Sequence, residues 1–174
     1  LAANYGLYGP SFELLDHLPL RAGGEEYLDS EKYQLRGWNR SDPASLAEFI
    51  GVLNRARRNN PALQTDAGLR FLSIDNDQLI AYMKTTPDKS NTVICVVNLD
   101  PFDPHVAELD FPLEAMGLTP GDTFQVEELL TGRKHLWRSA KQGVKLEPDL
   151  NPVEIYRIGT WEKGPPLRRK RPAG

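Results

Sequence analysis

The chain has 174 residues, with 21 Lys and Arg set against 24 Asp and Glu, a formal net charge of −3 and a single cysteine. That balance gives no electrostatic reason to bind nucleic acid, no apolar run approaches the roughly 18 residues of a membrane span, and Cys95 cannot close an internal disulfide. With 40% hydrophobic and 26% charged residues, the composition is that of a globular protein rather than a disordered one.

The opening, LAANYGLYGP, has no methionine and no targeting pattern, so the chain reads as a piece of a longer protein. With no leader and no cysteine pair, a reducing cytoplasm is the expected location. Residues 1–41 are rich in Gly, Tyr, Pro and charge and follow neither the 3.6 nor the 2.0 period. A stretch so long with so little regular pattern is expected in a compact domain when it is functional. Its densest part, GGEEYLDSEKYQLRGW (23–38), brings Glu25, Glu26, Asp29, Glu31 and Lys32 next to Tyr27, Tyr33 and Trp38. Aromatic rings suit the apolar face of a pyranose, and the polar groups suit its hydroxyls. Lys32 can also meet an anion as a point charge. The competing reading is a solvated surface loop. The clustered acids do not make a glycosidase pair, which needs two carboxyls about 5 Å apart across a sugar. In a barrel enzyme those carboxyls come from different strand ends.

Residues 42–60 read as a helix. Asp42 is a good N-cap and Pro43 suits the first helical position. Leu46, Phe49, Ile50, Leu53 and Ala56 form one apolar stripe, and Asn59, Asn60 and Pro61 end it. Arg55, Arg57 and Arg58 fall in the last turns, where solvated cations suit the helix dipole; a phosphate site is the weaker reading.

From residue 69 the period changes to that of strands. LRFLSI (69–74), QLIAYMKT (78–85), TVICVVNL (92–99), HVAELDF (105–111), TFQVEELL (123–130), KHLW (134–137), VKLE (144–147) and VEIYRI (153–158) are the candidates, divided by Gly, Pro, Asn and Asp. Short strands at this spacing, with no helices between them, predict an antiparallel β-sandwich. The 92–99 strand is apolar on both faces and is expected at the centre. Trp137 and Tyr156 lie within apolar stretches and are expected in the core.

The tail, EKGPPLRRKRPAG, is basic and rich in Pro and Gly. Such a run can mark a nuclear-localisation or nucleic-acid patch; a disordered, solvated end is the reading adopted. Cys95, in the middle of an apolar strand, reads as a buried structural thiol. His17, His105 and His135 lack metal-ligand spacing, and the last two read as surface residues. The glycines of NYGLYGP fit neither phosphate-loop pattern.

NYGLYGPSFEL, then GGEEYLDSEKYQLR, then LNRARRNNPALQ together resemble the bacterial maltosyltransferases that extend α-1,4-glucans from maltose 1-phosphate. These enzymes belong to the α-amylase superfamily, glycoside hydrolase family 13. The stretches at 4–14 and 25–36 are the most specific; VVNLDP (96–101) and VEELLTG through HLW (126–137) are shared more widely across the superfamily. The resemblance implies a mainly β chain: a C-terminal antiparallel β-sandwich preceded by the last loop and helix of a (β/α)8 barrel. Residues 1–65 would close the catalytic barrel, 66–160 would be the sandwich, and 161–174 the basic tail. In the family the lysine–tyrosine pair of EKYQ contacts the donor, so Lys32 and Tyr33 are the implied maltose 1-phosphate contacts. The catalytic carboxylates come from earlier strands, so none is assigned here, and Glu25, Glu26 and Asp29 do not fill the gap. The implied partners are maltose 1-phosphate and an α-1,4-glucan acceptor, with a homodimer expected for the intact enzyme and no metal or organic cofactor. A free-standing carbohydrate-binding sandwich module and an α-amylase-like hydrolase fragment are the alternatives.

Overall fold

The computed structural model describes residues 2–7, 9–28, 35 and 37–160, with Thr160 described by its backbone alone. The chain divides into two compact units, Leu1–Thr65 and Asp66–Gly174. The basic run of the tail lies outside the described residues.

In the first unit a short helix, α1 (Gly9–Glu13), precedes the main helix, α2 (Ala47–Asn59), and a 3₁₀ turn, Pro61–Gln64, follows it. The helix expected from residue 42 therefore begins at Ala47. The reason is local. Asp42 Oδ1 accepts the Ala44 N–H at 2.9 Å and Asp42 O accepts the Ser45 N–H at 3.0 Å, so Asp42–Ser45 closes a turn of its own. Ser45 Oγ then accepts the Ala47 N–H at 3.2 Å. At the other end Asn60 is buried, and its side chain donates to Ala56 O at 2.8 Å.

The described residues of the second unit form an antiparallel sandwich of eight strands: β1 (Leu69–Phe71), β2 (Leu79–Thr85), β3 (Thr92–Asn98), β4 (His105–Asp110), β5 (Phe124–Glu128), β6 (Lys134–Trp137), β7 (Lys141–Leu146) and β8 (Val153–Thr160). One sheet has the order β1-β2-β3-β8-β5-β6; the other holds β4 and β7. Leu79, Ala81, Met83, Ile94, Val96, Phe124, Val126 and Tyr156 of the large sheet pack with Leu109, Phe111, Val144 and Leu146 of the small layer. Each Val, Leu, Ile, Met or Phe among them, once fully buried, contributes about 1.5–3 kcal/mol. Both faces of β3 are closed: Val93, Ile94, Cys95 and Val96 are at most 1% exposed. That is the central position its unbroken apolar run predicts.

Trp137 is half-buried against the core, with ring centroids 5.0 Å from Phe111, 6.1 Å from Phe124 and 5.2 Å from Tyr156. Cys95 is buried, and burial pushes its thiol upward from the ordinary value. His135 is exposed, as expected. His105 is not a free surface residue: its Nε2 lies 3.0 Å from Asp100 Oδ2 and its Nδ1 3.4 Å from Asn76 Nδ2. At the entry to β1, a Cβ on Gly68 would stand 1.9 Å from Thr85 O, so only glycine fits where the two backbones meet. Two charged side chains are buried among the described residues of this unit. Lys84 (2% exposed) pairs with Asp66 at 2.6 Å. Glu128 (6%) accepts the N–H groups of Leu130, Thr131 and Ile155 and the Thr131 hydroxyl.

Candidate functional site

The contact-rich stretch belongs to the first unit. Gly9 has φ +51° and opens α1. Beyond it the chain makes a small hairpin: Pro19 and Tyr27 form an antiparallel bridge, Leu20 N donates to Glu26 O at 2.7 Å, and Leu28 N donates to Leu18 O at 2.7 Å. Its turn is closed by Gly24 N to Arg21 O at 2.9 Å, with Gly23 at φ +71°. Glycine supplies that left-handed backbone at no steric cost.

The exposure of this stretch is unusual. Tyr5, Leu7, Phe12, Leu15, Leu18, Leu20, Tyr27 and Leu28 are 40–56% exposed. Large apolar side chains left in contact with water within so short a segment form the kind of patch that suits a contact surface. A cleft lined by Ser11, Phe12, Leu15, Asp16, His17 and Tyr27 opens here. Phe12, Leu15 and Tyr27 give it an apolar wall, while Asp16 and His17 add an acceptor and an imidazole whose Nδ1 lies 2.7 Å from Leu15 O. Rings beside a few polar groups are the chemistry that holds a sugar.

Helix α2 holds the start of this stretch. The Tyr5 hydroxyl donates to Asn54 Oδ1, and the Arg57 guanidinium lies 4.8 Å over the Tyr5 ring. Arg57 Nη2 also donates to the Ala3 carbonyl. Further along, Leu46 N donates to Glu13 O at 2.8 Å and Ser45 Oγ to Glu13 Oε1 at 3.3 Å.

Of the residues singled out by sequence, Glu25, Glu26 and Tyr27 lie on the hairpin and are exposed, while Trp38 is half-buried. Asp29, Glu31, Lys32 and Tyr33 lie outside the described residues. The clamp by Asn54 and Arg57 was missed. Only the inward placement of Arg57 had a signal: it follows Leu53 by four and so shares the face of the apolar stripe, whereas Arg55 and Arg58 do not. Arg57 is half-buried, and the other two are exposed. The reading of all three arginines as solvated helix-end cations is thus corrected for Arg57, whose guanidinium is taken up by Ala3 and Tyr5. Among the described residues no group of three or more His, Cys, Asp or Glu is arranged to hold a metal ion.

Residues 71–158 match the family described as GLGE, C-terminal. The chain is 40% identical over 164 residues to the alpha-1,4-glucan:maltose-1-phosphate maltosyltransferase of Chlorobaculum tepidum, a match covering 91% of this chain and 24% of that protein. The protein of the same name from Corynebacterium glutamicum is 42% identical over 158 residues, covering 87% and 23%. The chain thus spans about a quarter of the length of these relatives. In fold it is similar to the crystal structure of a noncanonic maltogenic alpha-amylase, AmyB, from Thermotoga neapolitana, with a TM-score of 0.55 and 13% identity over 79% of this chain and 30% of that one. The family match takes in just over half of the sequence, and the chain belongs to the GLGE C-terminal family.

Proposed function

We propose that this chain is the C-terminal part of a maltosyltransferase that moves maltosyl units from maltose 1-phosphate to the non-reducing ends of α-1,4-glucans. The observation that carries the reading is the identity of 40% across 91% of the chain with a protein bearing that name. In this reading residues 1–65 are the last strand end, substrate loop and last helix of a (β/α)8 barrel, and the sandwich is structural. The exposed apolar side chains of residues 7–28 then face a substrate held by the rest of the barrel. Lys32 meets the donor phosphate as a point charge, and Tyr33 packs on the sugar. The reaction is a retaining transfer. A carboxylate supplied by another part of the barrel attacks the anomeric carbon, the bond to the phosphate oxygen breaks, and inorganic phosphate leaves. The 4-hydroxyl of a glucan end then attacks the same carbon, gives up its proton to a general base and frees the carboxylate. The intact enzyme works as a cytoplasmic homodimer.

The test is phosphate release by the full gene product containing this chain, supplied with maltose 1-phosphate and a maltooligosaccharide. Acceptor-dependent release of phosphate with chain extension is expected. Hydrolysis of the glucan without phosphate release would instead identify an α-amylase-like hydrolase. A native product no larger than this chain, binding glucan without turnover, would identify a carbohydrate-binding module.

A further inference from the structure

We propose that Arg57 and Asn54 are positioning residues: they fix the loop that begins at Ala3 and thereby set how tightly the donor is held. The proposal rests on the reading above, in which this loop faces a sugar phosphate.

An arginine serving only the helix dipole would be solvated, as Arg55 and Arg58 are. Arg57 is instead drawn in, and its Nε is buried with no hydrogen-bond partner among the described residues. A buried N–H left unpaired opposes folding, so stability alone does not explain the placement. What the side chain does instead is hold two neighbouring points of one loop. Its Nη2 takes the Ala3 carbonyl, and its plane lies 4.8 Å over the Tyr5 ring. Asn54, one helical turn earlier, takes the Tyr5 hydroxyl. The backbone at residue 3 and the side chain at residue 5 are thus both tied to one helix face.

The far end of the same segment is tied as well. Glu13 receives the Leu46 N–H through its carbonyl and the Ser45 hydroxyl through its carboxylate. Between these anchors, Leu7 and Phe12 are 40% and 52% exposed, and nothing lies within 4 Å of a Cβ built on Gly6 or Gly9. A segment fixed at both ends and open in the middle presents its side chains without having to order them on binding, which lowers the cost of association. Lysine could not replace Arg57. An ammonium can donate to the Ala3 carbonyl or sit over the ring, but it lacks the planar fork that does both at once.

The experiment uses the full-length enzyme and steady-state kinetics in donor and in acceptor. Arg57→Lys is expected to raise KM for maltose 1-phosphate about tenfold, the signature of lost binding common to ground state and transition state. The glucan KM, kcat and melting temperature are expected to stay as they were. Tyr5→Phe, which removes only the hydroxyl held by Asn54, is expected to raise the donor KM about fivefold, the usual value of one neutral hydrogen bond. Guanidinium ion added to Arg57→Ala is expected to restore part of the donor affinity by refilling the place over the Tyr5 ring. Lys32→Ala tests the underlying reading separately. If Lys32→Ala raises the donor KM and Arg57→Lys and Tyr5→Phe leave it unchanged, the positioning role is overturned and the donor reading stands. If Arg57→Lys raises it and Lys32→Ala does not, the positioning role stands and the lysine assignment falls. Should Arg57→Lys lower only the melting temperature and kcat, the contacts are structural and the proposal is overturned; Tyr5→Phe decides the matter if the arginine variants fail to fold.

Discussion

The buried ammonium of Lys84 allows the contribution of an ion pair to be separated from that of packing. Lys84 is 2% exposed and its Nζ lies 2.6 Å from Asp66 Oδ1, but the Asp66 side chain is 56% exposed. Removing the carboxylate strands a charge inside the protein, which for a fully buried pair costs about 3–5 kcal/mol. Here the aspartate faces solvent, so water can enter the space it leaves. Asp66→Ala is therefore expected to cost about 2–3 kcal/mol, less than the fully buried limit. Lys84→Met removes the charge together with its need for a partner and keeps an unbranched apolar side chain at a site flanked in register by Val93 and Leu69. It is expected to be within about 1 kcal/mol of the starting protein, and the double variant should lie close to Lys84→Met alone. Urea unfolding of the three variants supplies the free energies. The reasoning is refuted if Lys84→Met costs as much as Asp66→Ala, because the lysine would then be stabilising through its charge rather than merely needing to be neutralised.

Asp88 gives a pH signature in the turn between β2 and β3. Hydrogen bonds from Thr86, then from the Ser90 backbone and hydroxyl, lower its pKa to about 2. Because the folded value lies below the ordinary aspartate value of about 3.9, the stabilisation is complete above that pH and is lost as the pH falls through about 2. The difference in unfolding free energy between the starting protein and Asp88→Asn should then be constant above pH 5 and shrink on acidification, and an NMR titration midpoint near 4 would contradict it. Trp137→Ala removes a ring that touches three others and is expected to cost about 3 kcal/mol, with Trp137→Phe retaining most of it. A loss below about 1 kcal/mol by urea unfolding would mean that the three ring contacts do not hold the β5–β6 edge to the core.

Much of the sandwich was legible because a strand declares itself locally, by alternation and by the Gly, Pro and Asn that bound it. The β3 run TVICVVN could be placed at the centre because it has no polar face to give to water. What no local pattern encodes is the pairing. β4 and β7 form their own layer although β5 and β6 lie between them, and β8 enters between β3 and β5. The start of α2 was misread because Asp-Pro-Ala-Ser is as good a turn as it is a helix start, and the side chain of Asp42 is spent within it. At the candidate site, the aromatic and acidic residues could be seen in the sequence, but the two contacts of Arg57 could not, since Ala3 and Tyr5 are more than fifty residues away from it. Lys32 and Tyr33 rest on the EKYQ motif rather than on any geometry.

The place of β8 has a consequence for how the protein is made. The central strand β3 is bonded on one side by β2, its near neighbour in sequence, and on the other by β8, which leaves the ribosome more than fifty residues later. At translation speeds of about 5–20 residues per second, that edge stays bare for about 3–11 s. A message or protein broken off before Val153 would never cover it. The product would be two half-sheets, one of them carrying its most apolar strand as an open edge, and such an edge recruits other chains. Pairing of β8 with β3 thus closes, last of all, the edge at which another chain could add.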